Sequence, residues 1–125
     1  MKENAAFDKS KKFALRIVRL YSYLVDKKKD FVLSKQILRS GTSIGANLSE
    51  AICAISKKDF LSKVYVALKE SNETQYWLDL LKEAGFITLR QYTDLYKDCN
   101  EITKILNATT KTLGGRSSKN LNSEL

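Results

Sequence analysis

The 125-residue sequence has no histidine, no proline, five glycines and two cysteines. The absence of histidine excludes imidazole-based catalytic triads, histidine-dependent helical ribonucleases and the usual zinc sites. The scarcity of proline and glycine argues against a fold with many turns and favours a few long helices. Cys53 and Cys99 lie within apolar helical patterns rather than at metal-ligand spacing, so we interpret both as buried thiols.

Long apolar runs are also absent. No stretch approaches the roughly 18 apolar residues that cross a bilayer, and the N-terminal residues lack the apolar centre of a signal peptide. We therefore expect a cytoplasmic protein without a membrane partner, folded as one domain around one core.

Charge is the first feature of the sequence that indicates a function. The net charge is +8, from 22 basic and 14 acidic residues, and the bias is strongest in residues 1–30, which hold nine lysines and arginines against four carboxylates. A basic surface indicates an anionic partner or, alternatively, serves only solubility.

Apolar residues recur at intervals of three and four in four segments, which predicts four helices. These cover about residues 8–28, 33–54, 57–84 and 89–113. Helices of this length with short connections predict an all-α, antiparallel up-down-up-down four-helix bundle over residues 1–113. A glycine pair is expected to end the last helix, and the polar residues 114–125 are predicted to form a flexible tail.

Local signals predict the helix ends. Asp8 or Ser10 would cap the first helix, Ser56 the third and Thr88 the fourth. Gly85 is predicted to be a left-handed C-cap at the end of the third helix.

Gly41 and Gly45 lie in the middle of the second predicted helix, where the apolar period continues through both positions. Each glycine costs about 1 kcal/mol relative to alanine in a helix interior. We therefore expect a neighbouring helix to approach closely at this point.

The first helix carries a row of cations about 130° from its apolar face. The row consists of Lys9, Lys12, Arg16 and Arg19, and Tyr23 continues it. No carboxylate interrupts the row, which would span about 15 Å and suit contacts with nucleic-acid phosphates. Tyr23 would stack on a base or simply pack. An ordinary solvated face, or snorkelling lysines at a subunit interface, is the alternative.

The polar face of the second helix is another candidate. Its residues Arg39, Ser43, Asn47 and Glu50 lie one turn apart, which predicts a subunit or partner contact or, alternatively, a solvent face. Glu50 together with Glu70 and Glu73 would be the one conceivable carboxylate cluster for a metal ion. A solvated or interface-facing polar row explains the three carboxylates better, and we predict no metal, cofactor or catalytic residue.

Several motifs resemble one known family. The segment Ser40–Ala51 (SGTSIGANLSEA) resembles the signature Ser-Ile-Pro/Gly-Ala-Asn-Ile-x-Glu of the bacterial four-helix-bundle proteins, also called the 23S rRNA intervening-sequence proteins. Ser56–Phe60, Ala67–Leu78 and Gly85–Ile87 resemble the family's later motifs in the same order and spacing. The resemblance spans about residues 7–113.

The resemblance implies a cytoplasmic antiparallel bundle that assembles as a homopentamer. It also implies similarity to the accessory variability proteins of diversity-generating retroelements, which work with a reverse transcriptase and nucleic acid. Most members have no demonstrated activity. Gly45 departs from the many members that have proline at this position, which leaves the helix less kinked.

The leading hypothesis is a non-enzymatic, homo-oligomeric bundle that binds RNA or DNA through the cations of the first helix. It would serve as an accessory to a nucleic-acid enzyme such as a reverse transcriptase. The alternative is a protein-interaction scaffold with no role in nucleic-acid binding. A metal-dependent enzyme is the least favoured of the three hypotheses.

Overall fold

The computed structural model of the protein describes the backbone of residues 2–124 and the side chains of residues 5–114. Four helices make up this part of the chain. They are α1 (Lys2–Asp26), α2 (Leu33–Ile52), α3 (Lys57–Glu83) and α4 (Leu89–Glu124). No strand occurs within residues 2–124, so the predicted all-α class is confirmed. None of the described helices is long and apolar enough to cross a membrane.

Each helix runs antiparallel to the next. On α1 and α2, Ser10 lies beside Gly45 and Ile17 beside Gly41, so one helix ascends as the other descends. Between α2 and α3, Ser40 contacts Thr74 whereas Glu50 contacts Lys63, and between α3 and α4, Ser71 contacts Thr103 whereas Lys82 contacts Tyr92. Both pairs of helices are therefore antiparallel too, and α4 closes the arrangement by packing on α1. The contact between α1 and α4 is the sparsest of the four.

Buried apolar residues from all four helices form a single core. The largest fully buried side chains include Phe13 and Ile17 of α1, Ile44 of α2, Leu78 of α3 and Ile102 of α4. Burial of one such side chain stabilises the fold by about 1.5–3 kcal/mol. The core thus occupies the axis between the helices, whereas their outer faces carry polar residues together with some exposed apolar ones such as Leu15 and Val18.

The predicted close approach of helices at the α2 glycines is confirmed. A Cβ atom added at Gly41 would lie 2.9 Å from Ile17 Cγ1 and 2.9 Å from Ile17 Cγ2, and one added at Gly45 would lie 3.1 Å from Ser10 Oγ. Both glycines are buried. Close packing of α1 therefore offsets the low helix propensity of glycine at these two positions.

Three of the predicted helix ends are confirmed. Ser56 Oγ accepts a hydrogen bond of 3.0 Å from the Asp59 amide at the start of α3. Thr88 and Gln91 exchange side-chain to backbone hydrogen bonds of 2.8 and 3.1 Å at the start of α4. Gly85 has φ = +82°, the left-handed conformation that glycine adopts at low cost.

Two helices extend beyond their predicted ends. Helix α1 begins at Lys2, so neither Asp8 nor Ser10 caps it. Ser10 is fully buried, and its hydroxyl donates to the Phe7 carbonyl at 2.7 Å within the helix. Helix α4 continues through the glycine pair, and a Cβ at Gly114 would lie 2.9 Å from Tyr65 Oη, so this glycine accommodates a neighbour rather than ending the helix.

The predicted flexible tail covers residues 114–125. The side chains of residues 115–125 lie outside the described part of the structure. The tail's flexibility therefore stays a prediction.

A layer of hydroxyl and amide groups crosses the core around α3. Thr103 Oγ1 of α4 lies 3.0 Å from Ser71 Oγ and accepts a hydrogen bond of 3.1 Å from Gln75 Nε2. On the other side of α3, Thr74 Oγ1 lies 2.9 Å from Ser40 Oγ of α2. No buried side-chain nitrogen or oxygen atom in the described part of the chain lacks a partner, so the layer carries no desolvation penalty from an unpaired group.

Candidate nucleic-acid interface

The cation row of α1 lies on the side of this helix that faces α4. Arg16 is clamped by two carboxylates of α4, with its Nη1 atom 2.5 Å from Asp98 Oδ2 and its Nη2 atom 2.5 Å from Asp94 Oδ2. Lys9 Nζ lies 3.8 Å from Glu101 Oε2, a longer and more exposed pair. Two of the four predicted phosphate contacts are thus engaged within the subunit.

The two carboxylates beside Arg16 stabilise its charged form. Partial burial acts to lower the pKa of Arg16, but hydrogen bonds with Asp98 and Asp94 outweigh it and raise the pKa above the ordinary value. Because the guanidinium group is planar, it can face both carboxylates at once. The result is a seam of ion pairs between α1 and α4.

Lys12 and Arg19 are available to bind a partner outside the subunit. Both side chains are exposed, and neither forms an ion pair with another residue in the described part of the chain. Tyr23 is half-buried and packs against the core, with Lys28 Nζ 6.0 Å from its ring centroid. This placement suits packing better than stacking on a base.

A second row of cations lies on α4, and the sequence reasoning missed it. Its members are Arg90, Lys97, Lys104 and Lys111, each seven residues from the next. All four are exposed, and none pairs with a carboxylate among the residues whose side chains are described. The repeat of seven was the available signal, but acidic residues interleave with it in the sequence. Only the packing shows that Asp94, Asp98 and Glu101 turn towards α1 instead.

We define the basic face as these α4 cations together with Lys12 and Arg19 of α1. The α1–α4 seam lies between the two groups, and its carboxylates are already paired with Lys9 and Arg16. The remaining cations therefore project to solvent without a neutralising partner in the described part of the subunit. Such a surface attracts polyanions.

The four polar residues of α2 do not form one cluster. Arg39 Nη1 lies 2.9 Å from Glu70 Oε2 of α3, and Arg39 Nη2 also bonds Glu73. These hydrogen bonds, first to Glu70 and then to Glu73, raise the pKa of Arg39. At the far end of α2, Glu50 Oε1 lies 3.2 Å from Lys63 Nζ. Arg39 and Glu50 thus hold α3 to α2.

The two residues between them bond within their own helix. Ser43 Oγ donates to the Arg39 carbonyl at 2.5 Å, and Asn47 Nδ2 donates to the Ser43 carbonyl at 2.8 Å. Each of the four residues forms at least one hydrogen bond or ion pair inside the subunit. Their role in a subunit or partner contact stays a prediction.

Comparison with known proteins decides the family. The family model for the 23S rRNA-intervening sequence protein matches residues 2–108. The chain belongs to this family. A protein of unknown function from the S23 ribosomal protein family of Bacteroides thetaiotaomicron VPI-5482 has a crystal structure that aligns with a TM-score of 0.87 and 55% sequence identity. The alignment covers 89% of this chain and 99% of that one. No curated protein matches the chain.

The described part of this family member holds no group of three or more acidic or cysteine side chains placed to bind a metal ion. Glu70 and Glu73 both bind Arg39. Glu50 instead binds Lys63, which lies closer to the start of α3. The three carboxylates considered for a metal site are therefore not brought together. Each has a cation as its partner instead.

The two cysteines differ in their exposure to solvent. Cys99 is fully buried, and burial raises the pKa of its thiol to about 12. Cys53 is exposed, so the prediction that both thiols are buried is wrong for this residue. Cys53 follows the last residue of α2, where the chain leaves the core. The apolar period of the sequence does not reveal that the helix has already ended.

Proposed function

We propose that this member of the 23S rRNA-intervening sequence protein family is a non-enzymatic protein that binds RNA or DNA through its basic face. The observation that carries the proposal is the sequestration of the α4 carboxylates by Lys9 and Arg16, which leaves Lys12 and Arg19 without a partner in the described structure. When lysine and arginine side chains neutralise phosphates, the counterions condensed on the nucleic acid are released, and this release drives binding.

The two halves of the α1 row play different parts in this proposal. Lys12 and Arg19 contact phosphates directly. Arg16 acts indirectly, because removing it would expose two carboxylates on the surface that receives the nucleic acid. Lysine and arginine contacts with phosphates position the nucleic acid and carry no base sequence information.

We further propose that the subunits assemble as a homopentamer in the cytoplasm, as an accessory to a nucleic-acid enzyme such as a reverse transcriptase. The family resemblance supports this assembly. So does the outer face of α1, where Leu15 and Val18 are 53% and 45% exposed. A ring would repeat the basic face in each subunit, so that weak contacts add through avidity.

The test is fluorescence anisotropy with a labelled structured RNA and a labelled duplex DNA between about 50 and 200 mM salt. A double variant, Lys12→Gln with Arg19→Gln, removes two cations and keeps residues of good helix propensity. Each lost phosphate contact lowers the slope of log affinity against log salt by about 0.9. We therefore expect the slope to fall by roughly 1.8 for each subunit engaged.

A matched control is Lys58→Gln with Lys69→Gln, since both lysines are exposed on α3 and the charge change is the same. If the α1 variant and the control bind with the same slope, the α1 assignment is wrong. If the wild-type protein binds neither probe at the lowest salt, the proposed function itself fails.

The alternative function is a protein-interaction scaffold. The observation that favours it is the same exposure of Leu15 and Val18, which suits a helix partner as well as another subunit. Native mass spectrometry of Asn47→Ala and Glu50→Ala variants tests the α2 residues. An unchanged assembly state would remove Asn47 and Glu50 from the interface.

A further inference from the structure

The α4 row has a geometry of its own. One heptad of α-helix rises about 10.5 Å, so the four cations from Arg90 to Lys111 extend over roughly 31 Å. An ideal helix drifts by about 20° per heptad, so the row winds slowly around α4 instead of running straight along it. This span is close to one turn of a nucleic-acid duplex, about 34 Å.

Within the described part of α4, no aromatic ring is exposed around the row. The exposed residues near its members include Thr93, Ala108 and Thr112, and the large exposed apolar residues of α4 are Leu89 and Leu113 near its described ends. Tyr65 of α3 is 41% exposed, and its hydroxyl lies near Gly114, beyond the last cation of the row. The tyrosines of α4, Tyr92 and Tyr96, are half-buried and pack against the core. Lys82 Nζ also covers the Tyr92 ring at 4.0 Å. Proteins that bind single strands stack bases on exposed aromatic rings.

Charge without stacking favours a ligand that presents phosphates only. A duplex keeps its bases paired inside and displays two regular phosphate backbones. By the helical period, the cations of α4 are rotated towards solvent from the carboxylates that meet α1. By the same period, Lys12 and Arg19 are rotated towards solvent from Arg16 on α1. The basic face therefore presents two separated groups of cations.

From these observations we propose that the ligand of the basic face is a duplex, which the α4 row follows along its phosphate backbone. This inference rests on the proposed function, because it assigns the class of nucleic acid that the basic face binds. Recognition depends on shape and charge, and the base sequence is not read.

The experiment uses the full chain and four labelled probes of about 20 nucleotides or base pairs: duplex RNA, duplex DNA, oligo(U) and oligo(dT). A triple variant, Lys97→Gln, Lys104→Gln and Lys111→Gln, removes most of the α4 row. The control variant, Lys35→Gln, Lys58→Gln and Lys69→Gln, removes three exposed lysines on other faces and has the same net charge. Circular dichroism checks that each variant keeps its helix content.

We expect the wild-type protein to bind duplexes more tightly than single strands. Loss of three phosphate contacts lowers the slope of log affinity against log salt by about 2.7. Between 50 and 200 mM salt, the affinity of the wild-type protein for duplex DNA should therefore fall about 40-fold more than the affinity of the triple variant. The control variant should keep the wild-type slope. A Lys→Arg variant at the same three positions should also keep it, which separates loss of charge from any change in folding. The ratio of affinities for duplex RNA and duplex DNA identifies which duplex is preferred.

The outcomes separate the inference from the proposed function. If the wild-type protein binds none of the four probes, the proposed function fails and the inference falls with it. If Lys12→Gln with Arg19→Gln weakens binding but the α4 triple variant matches its control, the α4 row is wrong and the proposed function stands. If oligo(U) or oligo(dT) binds as tightly as the duplexes, the duplex assignment is wrong.

Discussion

Replacing Gly41 by alanine tests whether close packing of α1 explains the glycine. The new Cβ would lie 2.9 Å from both γ-carbons of Ile17 and 3.3 Å from its Cβ. Ile17 is β-branched, so every staggered rotamer directs at least one γ-carbon towards the two positions that face Gly41. A side-chain rotation therefore cannot remove the clash, and the backbones of α1 and α2 must separate.

Two effects of opposite sign set the magnitude. Alanine is favoured over glycine in a helix interior by about 1 kcal/mol. Overpacking a well-filled core costs about 1–3 kcal/mol, and Ile17 is fully buried. We expect a net destabilisation of about 1 kcal/mol, or a fall in melting temperature of roughly 4 °C for a domain of this size.

The assay is urea unfolding followed by circular dichroism at one fixed protein concentration, since subunit association would otherwise change the apparent stability. Gly45→Ala is the comparator, and we expect it to be near neutral because its closest contact is the Ser10 hydroxyl at 3.1 Å. Ser49→Ala, at an exposed position of α2, controls for helix propensity.

A double-mutant cycle isolates the contact. Ile17→Ala alone should cost about 2–5 kcal/mol through the cavity it leaves. In that background Gly41→Ala no longer meets a γ-carbon and only the Cβ contact of 3.3 Å remains, so it should stabilise the protein, by up to about 1 kcal/mol. If Gly41→Ala stabilises the wild-type protein by that same amount, the close-packing explanation is refuted.

Two further predictions concern titration and thiol chemistry. A hydrogen bond from the Trp77 indole to Glu73 lowers the pKa of Glu73 from 4.5, and Arg39 adds to this effect. Because the folded pKa is depressed, the stabilisation is present above pH 4.5 and is lost as the pH falls through the lower, folded value. Trp77→Phe should flatten the acid limb of stability measured by urea unfolding, and an unchanged limb would contradict the assignment. Native alkylation at about pH 8 should label Cys53 and spare Cys99, since the thiolate is the reactive form. Equal labelling rates before and after unfolding would contradict the burial of Cys99.

Signals that act over a few residues predicted the fold well. Ser56 and Gly85 occupy the cap positions expected of them, because a cap depends on its own turn of helix. Ser10 misled the sequence reasoning because a serine hydroxyl bonded to its own helix looks the same in sequence as a cap. The glycine pair after Leu113 was wrongly predicted to end α4, because the neighbour that Gly114 accommodates is Tyr65, which is distant in the chain.

The candidate interface depended more on contacts between distant parts of the chain. The sequence showed the cation row of α1, but it did not show that Arg16 meets Asp94 and Asp98 on α4. In the proposed function, those ion pairs make Arg16 a neutralising group instead of a phosphate contact. They also reveal the α4 row, because a run of mixed charge becomes a cationic surface only once its carboxylates are known to turn away.

The hydroxyl pair between Ser71 and Thr103 has a consequence for how this sequence can evolve. When Thr103 is replaced by an apolar residue, Ser71 Oγ keeps its bond to the Leu68 carbonyl, but Gln75 Nε2 loses its acceptor. A buried donor left without an acceptor costs about 1–3 kcal/mol, and replacing Ser71 as well does not restore the acceptor. Loss of the Thr103 hydroxyl is therefore coupled to a change at Gln75. Elsewhere in the core, where leucine, isoleucine and valine contact one another, the sequence can diverge one residue at a time.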